Sequence, residues 1–261
     1  GMLALSALAL SAVAPTAMAQ ANYPSKPITL VVTYPPGGGA DAMARLIAPQ
    51  MGKALGQAIV IDNKPGAGGQ IGAAAVAKAS PDGYTLMLDA SSFAVNPSLY
   101  PKLPYQPLKD LQPVMTTTSQ PNVIAVNAQL PVSTMREAIA LMKTSPGKYN
   151  FASVGNGSSS HLTMEYIKAV TNTYAVHIPF NGSPPAVMAT MSGETQFIAS
   201  VPTVIAPQVK QGRLKYLAVT SAQRYPLLPD VPTVAESGVP ELKGFEALAW
   251  NGVLVAAGTP R

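Results

Sequence analysis

The sequence predicts an α/β protein in two lobes, on three observations. Short β-rich apolar runs alternate with stretches of helical spacing from residue 23 onward. That alternation yields more strands than one small compact sheet takes, so two α/β lobes fit better, each with a parallel sheet covered on both faces. Finally, 48% hydrophobic and 11% charged residues in a chain of 261 supply a large core and exclude disorder.

In order, the pattern places a strand over 28–33, a helix over 41–55, a strand over 58–61, a helix over 70–79 and a strand over 84–88. Further on, helices are expected over 135–143, 159–170, 185–191 and 204–211. Strands are expected over 123–126, 150–153, 175–178, 195–199 and 215–219. No repeat of fixed period is visible. Ahead of these elements, Met2 to Ala19 carry no charge, with an apolar run from Leu3 to Val13 and the small-residue ending Ala17-Met18-Ala19. This reads as the apolar region and cleavage site of an export signal over 1–19, lacking its basic start, and is too short to span a bilayer.

Composition narrows the chemistry. The 17 Lys and Arg outnumber the 12 Asp and Glu, but they stand as singles, which argues against nucleic-acid binding. The absence of cysteine removes disulfides and thiolate chemistry. Two histidines without a metal-ligand spacing argue against a transition-metal site, and no cofactor is implied.

Chemistry in an open α/β sheet is expected beyond the carboxyl ends of its strands. There the first strand runs into Tyr34, Pro35, Pro36, Gly37, Gly38, Gly39, Ala40 and Asp41. The prolines stiffen the exit, while the glycines leave their amides open to close approach at a helix start with a favourable dipole. The segment reads as an anion cradle of amides or as a tight turn only. It is neither a P-loop nor a dinucleotide fingerprint, because Gly-Lys-Ser/Thr and Gly-x-Gly-x-x-Gly are absent. Asp41 either accepts from local amides or meets the ligand.

A second turn of this kind, "FASVGNGSSSHLTMEY" at 151–166, offers Ser153, Gly155, Asn156, Gly157 and Ser158–Ser160 before a helix carrying His161. Two neutral donor sets in separate lobes suggest a ligand gripped from both sides. His161 is either a structural residue under the turn or the base for a serine of 158–160, although no Gly-x-Ser-x-Gly elbow surrounds that serine.

These residues, with "YPSKPITLVV", "NKPGAGGQIGAAAVAKASPDGYTL", "NPSLYPKLPY", "HIPFNGSPPA" and "LAVTSAQRYPLLPDVPTVAESGVP", resemble the periplasmic solute-binding proteins of tripartite tricarboxylate transporters, the Bug family. The resemblance runs from about Tyr23 to the end. It implies a bilobed periplasmic-binding-protein fold of the second type, with a small carboxylate in the cleft between two α/β lobes. The first lobe would take 23–120 and 221–261, and the second 121–220. The carboxylate would be held by the segments matching 34–41 and 153–161, often through waters. Ser91, Ser92 and Phe93 would lie along the cleft wall, with Phe93 equally readable as core, and Ser200 and Thr203 would face the far end of the ligand.

Two departures stand out. Relatives often carry Tyr and then Lys or Arg where this chain has Phe180 and Asn181, which disfavours citrate-like polyanions and favours a mono- or dicarboxylate. The sequence also stops at "VAAGTPR", where relatives continue into C-terminal helices. The expectation is a monomeric periplasmic receptor, not an enzyme, whose lobes close on the acid and present it to membrane transporter subunits. The competing readings are a serine/histidine hydrolase and a periplasmic sensing module.

Overall fold

The computed structural model of the chain describes residues 23–260, so the export-signal reading of 1–19 lies outside the described residues. In chain order the elements are β1 (Ile28–Val32), α1 (Gly39–Leu55), β2 (Ile59–Asn63), α2 (Gln70–Ala77), β3 (Thr85–Ala90), α3 (Ser92–Leu99), α4 (Pro107–Asp110) and β4 (Leu111–Pro121). Then follow β5 (Val123–Asn127), α5 (Met135–Thr144), β6 (Asn150–Ser153), α6 (Ser159–Thr171), β7 (Val176–Pro179), α7 (Ser183–Ser192), β8 (Phe197–Ser200), α8 (Pro202–Lys210), β9 (Leu214–Val219) and β10 (Leu248–Ala256).

The strands form two five-stranded sheets, ordered β2-β1-β3-β10-β4 and β7-β6-β8-β5-β9. Neither is wholly parallel. β1 runs parallel to β2 and β3, and β6 to β7 and β8, as expected of crossover units. β10 runs antiparallel to β3 and β4, and β5 antiparallel to β8 and β9. These two are the strands that enter a sheet from the other lobe, so no crossover helix constrains their direction.

Each sheet is covered on both faces, which the period-2 alternation of its strands makes possible. In β1, Val31 packs on one side with Ala73, Val76 and Met87, while Leu30 and Val32 pack on the other with Ala44 and Leu88. In β5, Ile124 and Val126 join Phe151, Ile167 and Phe197, while Val123 and Ala125 join Ala186, Ile198 and Ile205. The first of these second-lobe clusters also takes in Val234, Val239, Leu242 and Phe245. The return to the first sheet therefore falls at β10 and not at residue 221, because those four apolar side chains bury against α6 and β6 rather than against the first lobe.

Local signals explain several boundaries. α5 opens on a capping box in which Thr134 and Glu137 each accept from the other's backbone amide. α1 stops at Gly56, whose φ of +70° takes the left-handed conformation that closes a helix.

Candidate functional site

The segment after β1 is held by Asp41. Its Oδ2 accepts from the Gly37 amide at 3.0 Å and from Arg45 Nε at 2.9 Å, and its Oδ1 accepts from Asn63 Nδ2 at 3.0 Å. Asn63 also donates to the Tyr34 carbonyl at 3.0 Å, tying the segment to β2. Burial pushes the Asp41 carboxyl up, but the hydrogen bonds from Arg45, Gly37 and Asn63 outweigh it and hold it below its ordinary value. Of the two sequence readings, the geometry shows the local one: Asp41 straps the loop from behind.

That arrangement leaves the start of α1 open. No side chain caps the helix, and the amides of Gly38, Gly39, Ala40 and Asp41 find no acceptor among the described residues. Tyr34 turns its hydroxyl inward to Ser92 Oγ at 3.0 Å, and burial with the nearby Asp89 pushes its phenol up.

The turn between β6 and α6 is built comparably. Ser158 caps the helix, accepting from the His161 amide at 3.2 Å while donating to the Gly155 carbonyl at 2.6 Å. Gly157 N–H donates to His161 Nδ1 at 3.1 Å, so that nitrogen carries no proton. The His161 ring stacks on His177 at 4.0 Å, and His177 Nε2 meets Ser153 Oγ at 2.6 Å. Burial lowers the His161 imidazole, with Lys168 lowering it further against the pull of Glu165. Ser160 Oγ donates to the Ala199 carbonyl, and the Ser159 and Ser160 amides have no acceptor among the described residues. No hydroxyl of 158–160 hydrogen-bonds an imidazole, an arrangement that offers no activated nucleophile.

The two sheets face each other across a cavity with about 60 Å³ open to the centre of a water-sized sphere, room for several non-hydrogen atoms. Four helix starts reach it: Gly38–Ala40 of α1, Ser158–Ser160 of α6, Gly182 and Ser183 of α7, and Ser200 and Val201 of α8. Gln120, Asn122, Ala249, Trp250 and Asn251 come from the crossing strands; Tyr34, Pro35, Ala90 and Val154 complete the lining. None of these residues is charged.

Of the sequence candidates, Tyr34, Gly38, Gly39, Ala40, Ser158 and Ser200 meet here. Gly155, Phe180 and Asn181 line a smaller neighbouring cavity that shares Tyr34, Pro35, Val154 and Gly182 with the first. Pro36, Gly37 and Asp41 stand outside the lining, and Thr203 is exposed in the first turn of α8. Ser153 is held under the turn, while Asn156 and Gly157 face Gly68 and Leu99 across the gap between lobes. Ser91 and Ser92 are buried behind Ala90, and Phe93 is drawn into the first-lobe core with Val31, Met87 and Leu254, because α3 turns its first residues inward.

Sequence reasoning missed Gly182 and Ser183, although Asn-Gly-Ser occurs both at 156–158 and at 181–183. It also missed Gln120, Trp250 and Asn251, which reach the cavity through strand register, and Asn122, which reaches it from the crossing after β4.

The model of the tripartite tricarboxylate transporter family receptor matches residues 43–261. The chain belongs to that family. BugT of Bordetella pertussis is 40% identical over 91% of this chain and 73% of its own length. Among solved structures, Rpa4515 of R. palustris with adipate is 34% identical, covers 92% of this chain and 79% of its own, and has a TM-score of 0.88. MatC of Rhodopseudomonas palustris with bound malate is 34% identical over 91% and 80% of the two chains, with a TM-score of 0.84. Family members of this kind are solute receptors. Among the described residues no helix is long and apolar enough to cross a membrane, and no group of three or more His, Cys, Asp or Glu side chains is placed to hold a metal ion.

Proposed function

We propose that this protein is a monomeric periplasmic receptor that closes on a small organic mono- or dicarboxylate and hands it to a tripartite tricarboxylate-type membrane transporter. One observation carries the ligand class. Four helix N-termini converge on a cavity whose lining holds no charged side chain. The starts of α1 and α6 bring unpaired N–H groups, while α7 and α8 open on prolines and add mainly the positive ends of their dipoles, so the four together match one or two carboxylates without a cation. The donors come from both lobes, so a carboxylate gains its full set only in the closed form, which the ligand then favours. The relatives with adipate and with malate support the same class. The uncharged apolar stretch in 2–19 and the family support the periplasm.

The lobes in this reading are 23–121 with β10, and 122–246. Catalysis of ester cleavage has no geometric support in the turn at 158–161. Calorimetric titration with a panel including adipate, malate and monocarboxylates tests the proposal. We expect saturable heat with at least one acid and no turnover; no heat with any of them overturns it.

A further inference from the structure

Beside the cavity wall lies a carboxyl group that the capture scheme leaves unused. Asp89, at the end of β3, has no exposed surface, and the next residue, Ala90, lines the cavity. Its Oδ1 accepts from Thr33 Oγ1 at 2.7 Å, from the Ala90 amide at 2.7 Å and from Ser92 Oγ at 3.2 Å. Its Oδ2 is buried with no hydrogen-bond partner among the described residues. A bare interior oxygen is costly on an ionised carboxylate and far less so on a protonated one.

Nothing cationic compensates it. The exit of β1 contributes Thr33, β10 sets Gly252 across the ladder, Gly69 approaches from just ahead of α2, and α3 contributes Ser92. The titratable groups that face it are the phenols of Tyr34 and Tyr105. Burial therefore lifts the Asp89 carboxyl to about 6, against the lowering effect of its three hydrogen bonds. The group is also joined to the cavity through Ser92 Oγ, which accepts from the hydroxyl of the cavity residue Tyr34.

We propose that Asp89 takes up a proton when an organic acid occupies the cleft, so that the receptor binds the anion and a proton together. This rests on the carboxylate reading above. An anion against Ala90 acts on Asp89 through protein rather than water, and like-charge repulsion favours the protonated form. By linkage the acid binds more tightly wherever Asp89 is already protonated, so affinity rises as pH falls from about 8 toward 6.5. His161 and His177, under the opposite wall, respond to an anion in the same direction, which a variant at position 89 separates.

The test is calorimetry with adipate at about pH 7 in buffers of different ionisation enthalpy, which counts protons exchanged per ligand. Wild type is expected to take up a fraction of a proton. Asp89→Asn, which keeps an acceptor for Thr33, Ala90 and Ser92, is expected to lose most of that uptake and to bind adipate up to about tenfold tighter at pH 8. Adipate binding without uptake, or uptake undiminished in Asp89→Asn, overturns this proposal and leaves carboxylate capture standing. No binding by any acid of the panel overturns both. Should Asp89→Asn not fold, infrared difference spectra of wild type labelled with ¹³C-aspartate decide: a protonated-carboxyl band is expected on adding adipate, and its absence overturns the proposal.

Discussion

Asn122 and Thr220 bond each other in both directions where the chain passes between the two sheets. The Asn122 amide donates to Thr220 Oγ1 at 2.8 Å, and the Thr220 amide donates to the Asn122 carbonyl at 3.0 Å. Ala247, where the chain crosses back, donates its amide to the Thr220 carbonyl at 2.8 Å and accepts from Thr220 Oγ1 at 2.5 Å. Three chain segments that share no sequence neighbourhood are thus stitched at one buried point, about which the proposed closure would turn.

Replacing Thr220 by Val keeps the side chain's shape but deprives the buried Asn122 amide of its acceptor. An unsatisfied buried donor costs about 1–3 kcal/mol, and that is the expected loss in urea denaturation. An unchanged midpoint would mean that this hydroxyl is dispensable at the crossing.

Closure depends on a glycine. Gly182 has a φ of +96°, and a Cβ there would overlap the ring of Pro35 on the opposite wall. Gly182→Ala is expected to lose about 1–3 kcal/mol to backbone strain. Separately, it should weaken acid binding by more than about tenfold, because the propped lobes give up donors worth at least one hydrogen bond. Gly193→Ala provides the control: its φ of +86° carries similar strain, yet its nearest atom would be Asn127 Nδ2 at 3.8 Å, within the same lobe. Equal affinities for the two variants would refute a closure role for Gly182.

The alternation of strands and helices was legible because crossover units bury β-strands on both faces. Val123–Val126, buried throughout, therefore reads as one apolar run. The glycines of 38–39 were legible because a helix start with open amides favours residues without side chains, whereas the amides of Gly37, Gly155 and Gly157 are taken by Asp41, Ser153 and His161, which no spacing announces. α3 and β4 were not, since Pro97 and Pro113 read as breakers, and much of β4 is exposed. The cavity floor was illegible for a deeper reason. Trp250 pairs with Ser119 and Asn251 with Thr118, contacts over more than a hundred residues that no local spacing encodes. Position alone left Phe93 readable as cleft wall or as core, and its side chain serves the core.

The strap on the first wall gives a third expectation. Asp41→Ala frees the Gly37 amide, Asn63 Nδ2 and Arg45 together. Stability should fall by about 2 kcal/mol at neutral pH, the middle of the range for hydrogen bonds to a charged acceptor. The folded carboxyl sits below its ordinary value. Its contribution is therefore present above the unfolded pKa and disappears as pH falls through the folded one, so wild type and variant should converge in acid. Acid binding should weaken as well, since residues 34–38 would no longer be held against β2; a calorimetric affinity unchanged from wild type would exclude that coupling.

The stacked histidines predict a pH profile of opposite origin. Burial, and then the neighbouring His161, depress the His177 imidazole to about 4; Glu165 opposes the shift and Lys168 adds to it. Between that value and the unfolded value of about 6.5, the unfolded chain binds more protons than the folded one. Stability should therefore decline as pH drops from about 6.5 to 4, with His161 adding in the same direction. His177→Phe keeps a ring against Phe151 and His161 but cannot take up a proton. Subtracting its thermal midpoints from those of wild type removes the contribution of Asp41, which runs the same way, and that of Asp89, which opposes it, and the difference should become more negative through that window. A difference that stays flat from pH 7 to 4 would show that His177 does not titrate in the folded protein as its surroundings require.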